Sequence, residues 1–155
     1  MGRVKLDAVA LVICVRFKEN NMIDSTIVNA VITSAHIRFE YDCLTVRLTL
    51  DYGDACQGFG GHVLMTSPTS PHRETTEHGP NYAGVYIDGI MRTVGVSEWN
   101  DLKGKPIRVA CSSESFDRVI FGIGHVIKDR WFFPKAEFDR LQKKTPTLPE
   151  GGLAK

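Results

Sequence analysis

Between His36 and Leu50 the chain alternates apolar and polar residues on both sides of one short break, and that pattern leaves few folds open. Ile37 and Phe39 fall on one side of a strand, with His36, Arg38 and Glu40 on the other. Tyr41-Asp42-Cys43 reads as a reversal, after which Leu44, Val46, Leu48 and Leu50 alternate with Thr45, Arg47 and Thr49. Successive side chains of a strand point to opposite faces, so the segment is an antiparallel hairpin with one buried face. Residues 27–34, rich in β-branched side chains, extend the strand-forming region upstream. Arg38 and Arg47 share the polar face, either as solvated surface charge or as part of an anion site.

The period changes further along. Ala83, Tyr86, Ile87, Ile90, Met91 and Val94 recur at the spacing of one helix face, and Gly95 is placed as its left-handed C-terminal cap with Val96 as the accompanying apolar contact. Gly84 and Gly89 weaken that helix or permit a close neighbour. Ser97 is expected to cap a short helical turn through Asp101. Pro106 opens a strand in which Ile107, Val109 and Cys111 alternate with Arg108 and Ala110. The return strand is expected over residues 119–128, with Phe121, Ile123 and His125 on one face and Gly122 and Gly124 on the other. A strand bared by two adjacent glycines accommodates a helix, a partner subunit or a ligand, and periodicity does not choose among them. His125 is then either a satisfied core imidazole or a ligand contact. Pro134 suits the first turn of a second helix through about Lys143. The sum is an α+β protein: a twisted, mainly antiparallel sheet packed against one amphipathic helix, plus a short C-terminal helix.

With 155 residues, the chain is expected to form one domain over residues 22–144, with an N-terminal extension at 1–21 and a loose tail at 145–155. The apolar run at residues 8–15 is too short to span a bilayer; Asp7 before it and Arg16 and Lys18 after it make it a poor signal peptide, so an added strand is expected. A net charge of +1 lacks the basic excess of a general DNA binder. Cys14, Cys43, Cys56 and Cys111 have neither zinc spacing nor the density of a disulfide scaffold, which points to reduced thiols in a cytoplasm. Residues 66–81 read as a long Pro-rich loop, a lid or an insertion, and its His72 and His78 fit no metal signature.

The chemistry-bearing residues suit binding. Gln57-Gly58-Phe59-Gly60-Gly61 is either a tight irregular turn that pins Phe59 in the core or one wall of a ligand pocket. Neither this run nor Gly122-Ile123-Gly124-His125 has the spacing of a phosphate loop opening a helix, and no nucleophile and base stand in a recognisable arrangement. What remains is guanidinium groups, glycine-exposed amides, Gln57, His125 and several aromatics, a set suited to a compact anionic ligand carrying a base.

The succession Leu50-Asp51-Tyr52-Gly53, Gln57-Gly58-Phe59-Gly60-Gly61, Val94-Gly95-Val96 with Trp99, Leu102 and Gly104, Ile123-Gly124-His125-Val126-Ile127-Lys128-Asp129 and Trp131-Phe132 resembles the Thoeris anti-defence sponge family of bacteriophages. The resemblance runs from about Met22 to Pro134. It implies a non-catalytic protein without cofactor or metal that sequesters cyclic ADP-ribose isomers in the host bacterial cytoplasm; some relatives also hold CBASS cyclic oligonucleotides. It further implies a dimer-based homo-oligomer, up to a hexamer, with ligand at subunit interfaces. On that basis Phe59, Phe116 or Trp131 would stack on adenine, and His125 and Gln57 would hydrogen-bond ribose or base. Arg47, Lys128 or Arg130 would neutralise phosphate, beside the backbone of Gly58, Gly60 and Gly61. The N-terminal extension, Tyr41-Asp42-Cys43 and the Pro-rich loop depart from the family pattern. The rival expectations are an enzyme that degrades such a signal and a phage inhibitor of a host nuclease or replication factor.

Overall fold

The computed structural model describes residues 25–66, 81–112 and 118–144. In chain order the elements are β1 (Ser25–Glu40), β2 (Cys43–Asp51), β3 (Cys56–Gly60), β4 (Met65–Thr66) and α1 (Tyr82–Val94). A 3-10 turn at Trp99–Leu102 precedes β5 (Pro106–Ser112), β6 (Ile120–His125), β7 (Trp131–Phe132) and α2 (Pro134–Lys144). The strands form one seven-stranded antiparallel sheet in the order β3-β2-β1-β5-β6-β7, with the short β4 also on β2.

The two upstream strand signals are one continuous strand of 16 residues. β1 serves two neighbours in succession: Ser25 to Val31 pairs with β5, and Val31 to Glu40 with β2. The register shifts between Ile32 and Ser34, so the inward parity changes from Ala30 and Ile32 to Ala35 and Ile37. An extra residue in one strand does this, and Thr33 is held there by its hydroxyl donating to the Thr49 carbonyl at 3.2 Å. Tyr41 and Asp42 both adopt positive φ, +48° and +63°, the geometry of the two-residue type I′ turn that matches strand twist.

One face of the sheet carries the helices. Ile32, Leu48, Leu50, Tyr86, Ile90, Ile107, Val109 and Ile123 are fully enclosed there. Burial of each large apolar side chain contributes about 1.5–3 kcal/mol before chain entropy is charged against it. The expected face of α1 is the one buried, through Tyr86, Ile90 and Val94. Asn81 Oδ1 accepts from the Gly84 amide at 2.8 Å at its start; at its end Gly95, with φ 87°, donates to the Met91 carbonyl at 2.8 Å. Tyr86 touches both outer strands, Phe59 of β3 at 6.2 Å between ring centroids and Phe132 of β7 at 5.4 Å. The sheet therefore curls round α1, and its opposite edges converge on one phenol ring.

Two sequence expectations shift. The return strand stops at His125, because the imidazole Nδ1 accepts the amides of Ile127 and Lys128, both at 3.0 Å, and turns the chain toward β7. Ser97 does not cap the 3-10 turn, whose first flanking residue is Glu98 with no side-chain cap. Among the described residues no helix is long and apolar enough to cross a membrane.

Candidate functional site

The helix-free face of the sheet holds an open groove of about 470 Å³, lined by Ile27, Arg108, Ala110, Ile127, Asp129, Trp131 and Phe133. Strand register places these residues together. Asn29 pairs with Arg108, Arg108 with Gly124 and Gly124 with Trp131; Ile27 pairs with Ala110, and Ala110 with Gly122. Residues that face each other across strands share a side of the sheet.

The glycines on this face are filled by the chain itself. A Cβ on Gly124 would lie 2.6 Å from Trp131 Cε3, and one on Gly122 would lie 2.5 Å from Phe133 Cδ1 and 2.6 Å from the Phe132 carbonyl oxygen. Trp131 and Phe133 are stacked with centroids 5.9 Å apart at 18°. The bare strand of the sequence is thus a seat for two rings, and the rings form the groove floor.

Arg108 fixes the arrangement. Its Nε donates to the His125 carbonyl at 2.8 Å, its Nη2 donates to the Lys128 carbonyl at 2.6 Å, and its guanidinium carbon stands 4.7 Å from the Trp131 ring centroid. A guanidinium over an indole face gains both dispersion and attraction to the ring's negative face. Trp131 Nε1 donates to Asp129 Oδ1 at 3.1 Å, which leaves the outer carboxylate oxygen toward solvent and able to accept from a hydroxyl. Lys128 is exposed, and its ammonium has no partner among the described residues. His125 is half-buried; burial, then the charges of Arg130, Lys128 and Arg108, lower its pKa below the ordinary imidazole value. The two amides donated to Nδ1 favour the same neutral form.

Of the residues expected at a site, Trp131 lines the groove, and His125 ends β6 and staples the adjoining loop that carries Lys128. Arg130 is committed elsewhere: Nε and Nη2 donate to the Thr93 carbonyl at 3.2 and 3.0 Å, closing the C-terminal end of α1. Arg47 stands on β2, Gln57 to Gly60 on β3 and Gly61 just past its end, at the other end of the strand order. From β3 to β6 is four strand steps, roughly 19 Å along the sheet at about 4.8 Å each. One chain does not bring the two segments together as a single wall.

The β3 edge has its own geometry. Phe59 is 4% exposed, so its ring belongs to the core and offers no free face for stacking. Gly60 has φ +116°, and a Cβ there would lie 2.1 Å from the Val46 carbonyl oxygen. Only glycine fits that approach. Gly58 is open apart from the Arg47 stem at 3.9 Å, and the Arg47 guanidinium reaches to 3.4 Å of the Cβ position at Gly61. Arg47 is exposed, without a partner among the described residues. Gln57 Nε2 donates to the Arg118 carbonyl, while the Arg118 guanidinium lies 5.5 Å from the Tyr52 ring. Phe116 lies outside the described residues, as do His72, His78 and Cys14.

A smaller cleft of about 240 Å³ opens between His62, Val63, Tyr82, Phe138 and Gln142. Burial lowers the His62 pKa, and its ring meets Tyr86 and Phe138 edge-on at 5.6 and 5.5 Å. The neighbouring Tyr86 hydroxyl is buried with no hydrogen-bond partner among the described residues, and burial raises its pKa.

Sequence reading missed Arg108, Asp129 and Phe133. Alternation did place Arg108 opposite the core parity of β5, but only register shows that it faces Gly124 and Trp131. These features define an α+β protein with a curled antiparallel sheet and a ring-floored groove on its helix-free side. No protein-family model, curated protein or solved structure matches the chain.

Proposed function

We propose that the protein binds and sequesters a cyclic ADP-ribose isomer without cleaving it, acting as a phage anti-defence sponge in the host cytoplasm. The observation that carries this reading is the half-exposed Trp131 ring, held by Arg108 at 4.7 Å on the floor of an open groove of about 470 Å³. That volume lies within the range of small-ligand sites. Adenine stacks on the outer part of the indole, Asp129 accepts a ribose hydroxyl, and Lys128 with the Arg108 edge neutralises the pyrophosphate.

A second protomer supplies what one chain lacks. Arg47, with the open backbone of Gly58 and Gly61, offers a cationic, sterically bare edge that closes a pocket when set against another copy's groove. A cyclic oligonucleotide is the larger ligand of the same chemistry.

The test is incubation with cyclic ADP-ribose isomers, removal of free ligand, heat release and chromatography. Intact ligand is expected from the wild type and loss of capture from Trp131→Ala. Absence of any depletion overturns the reading, and release of an altered product replaces it with a degrading enzyme.

A further inference from the structure

The first half of β1 has a neighbour on one side alone. β5 pairs with it from Ser25, whereas β2 joins only at Val31. The ladder decides which backbone groups this leaves open. The Ile32 amide donates to the Lys105 carbonyl at 3.0 Å and the Ile32 carbonyl accepts from the Gly104 amide at 2.7 Å, so Ile32 is directed to the β5 side. The Ser112 amide donates to the Val119 carbonyl at 2.9 Å, so on β5 Arg108, Ala110 and Ser112 face β6, and Ile107, Val109 and Cys111 face β1. Successive residues of an antiparallel strand turn their backbone groups to alternate sides. Thr26, Val28 and Ala30 therefore spend theirs on β5. The amides and carbonyls of Ser25, Ile27 and Asn29 point out of the open half, with no partner among the described residues. Such an edge is a template for one more strand.

We propose that residues 8–15 of this chain dock on that half-edge as an antiparallel strand in line with β2, and so form the flank of the groove opposite Trp131. Twenty-four residues outside the described ones lead into Ser25, at the near end of the open half. Residues 8–15 hold no charge, glycine or proline and are apolar on both parities, the pattern of a strand covered on both faces. The nine polar-rich residues 16–24, with Asn20-Asn21 at the middle, suit the reversal that an antiparallel return requires.

Reach selects this edge over the exposed arm at Ile37 and Phe39. Ile37 stands twelve residues beyond Ser25, about 40 Å at about 3.3 Å per residue, and the ten Cα steps from Val15 to Ser25 span at most about 36 Å. Ile27 ties the half-edge to the groove. It lines the groove from β1 and pairs with Ala110 on its other side, so a strand beside it lies across the groove from the Trp131 and Phe133 rings. Every second side chain of that strand extends the apolar lining.

No ligand enters the test. In the full chain, hydrogen exchange read by NMR should show the Ile27 and Asn29 amides at least about a hundredfold slower than in an unstructured peptide. Cross-strand nuclear Overhauser contacts should join them to residues 8–15. Leu11→Pro and Val12→Pro place the ring on opposite parities, so one of them removes a ladder donor in any register. That variant should return Ile27 and Asn29 to fast exchange while Val28 and Ala30, paired to β5, stay protected. Free exchange of Ile27 and Asn29 in the wild type overturns the proposal, as do contacts from residues 113–117 or from a second copy in place of residues 8–15. Protection that survives both proline substitutions overturns it as well.

Discussion

The two glycine-rich segments of this chain look alike in sequence and do opposite things in the fold. On β6 the glycines are under load: Gly122 and Gly124 lie beneath Phe133 and Trp131 at distances no Cβ tolerates. On β3 the load is concentrated at Gly60, pressed against the Val46 carbonyl, while Gly58 stays open beneath the Arg47 stem. One segment uses missing side chains to seat its own aromatics. The other keeps part of an edge strand bare, which is what a second molecule requires.

Substitution can break this comparison. Gly60→Ala combines a left-handed backbone with a backbone clash and should cost about 3 kcal/mol in urea unfolding, the largest effect expected. A loss well under 1 kcal/mol would mean that β3 relaxes and that Gly60 is no anchor. Gly124→Ala should cost about 2 kcal/mol and lift Trp131 off its seat, seen as a red-shifted indole emission together with lost ligand capture. Unshifted emission with capture intact would separate the glycine from the groove. Gly58→Ala should stay within about 0.5 kcal/mol of wild type while reducing capture, if a partner approaches that edge.

Tyr86→Phe sharpens the picture from inside. The hydroxyl is buried without a partner among the described residues, so its removal should leave stability unchanged or raise it by about 1 kcal/mol. A clear loss would reveal a buried water bound to it. The smallest effect concerns pH. His125 and His62 both have lowered pKa values in the fold, so the unfolded chain takes up protons first as pH falls. Their contribution is fully present above about pH 6.5 and is lost as pH drops from there through the lower folded values. Replacing His125 by Asn should flatten part of that slope, and an unchanged slope would assign it to His62 and the carboxylates.

Much of the fold was legible because it is written in period. The hairpin around Tyr41, the buried face of α1, the Gly95 cap and the start of α2 at Pro134 all follow from local spacing and local backbone preference. The site was legible only in pieces. Trp131 and the loop after His125 could be named as aromatic and cationic, but the residue that holds them, Arg108, comes from another strand. Its role depends on which strands pair, and strand order is a property of the whole chain. For the same reason the two glycine segments looked like one wall until β1, β2 and β5 were found to lie between β3 and β6. The end of β6 was misread because His125 carries the apolar parity and yet spends its acceptor on stapling a turn.

Tyr86 acts as a spacer gauge between the two rims of the sheet. Phe59 bears on its ring from one rim and Phe132 from the other, so the thickness of a single phenol sets how tightly the sheet can bend. Phe132 lies between the two residues that floor the groove, and Phe59 lies between the glycines of the bare edge. The groove floor and the bare edge, on opposite sides of the strand order, are thus tied to one and the same ring.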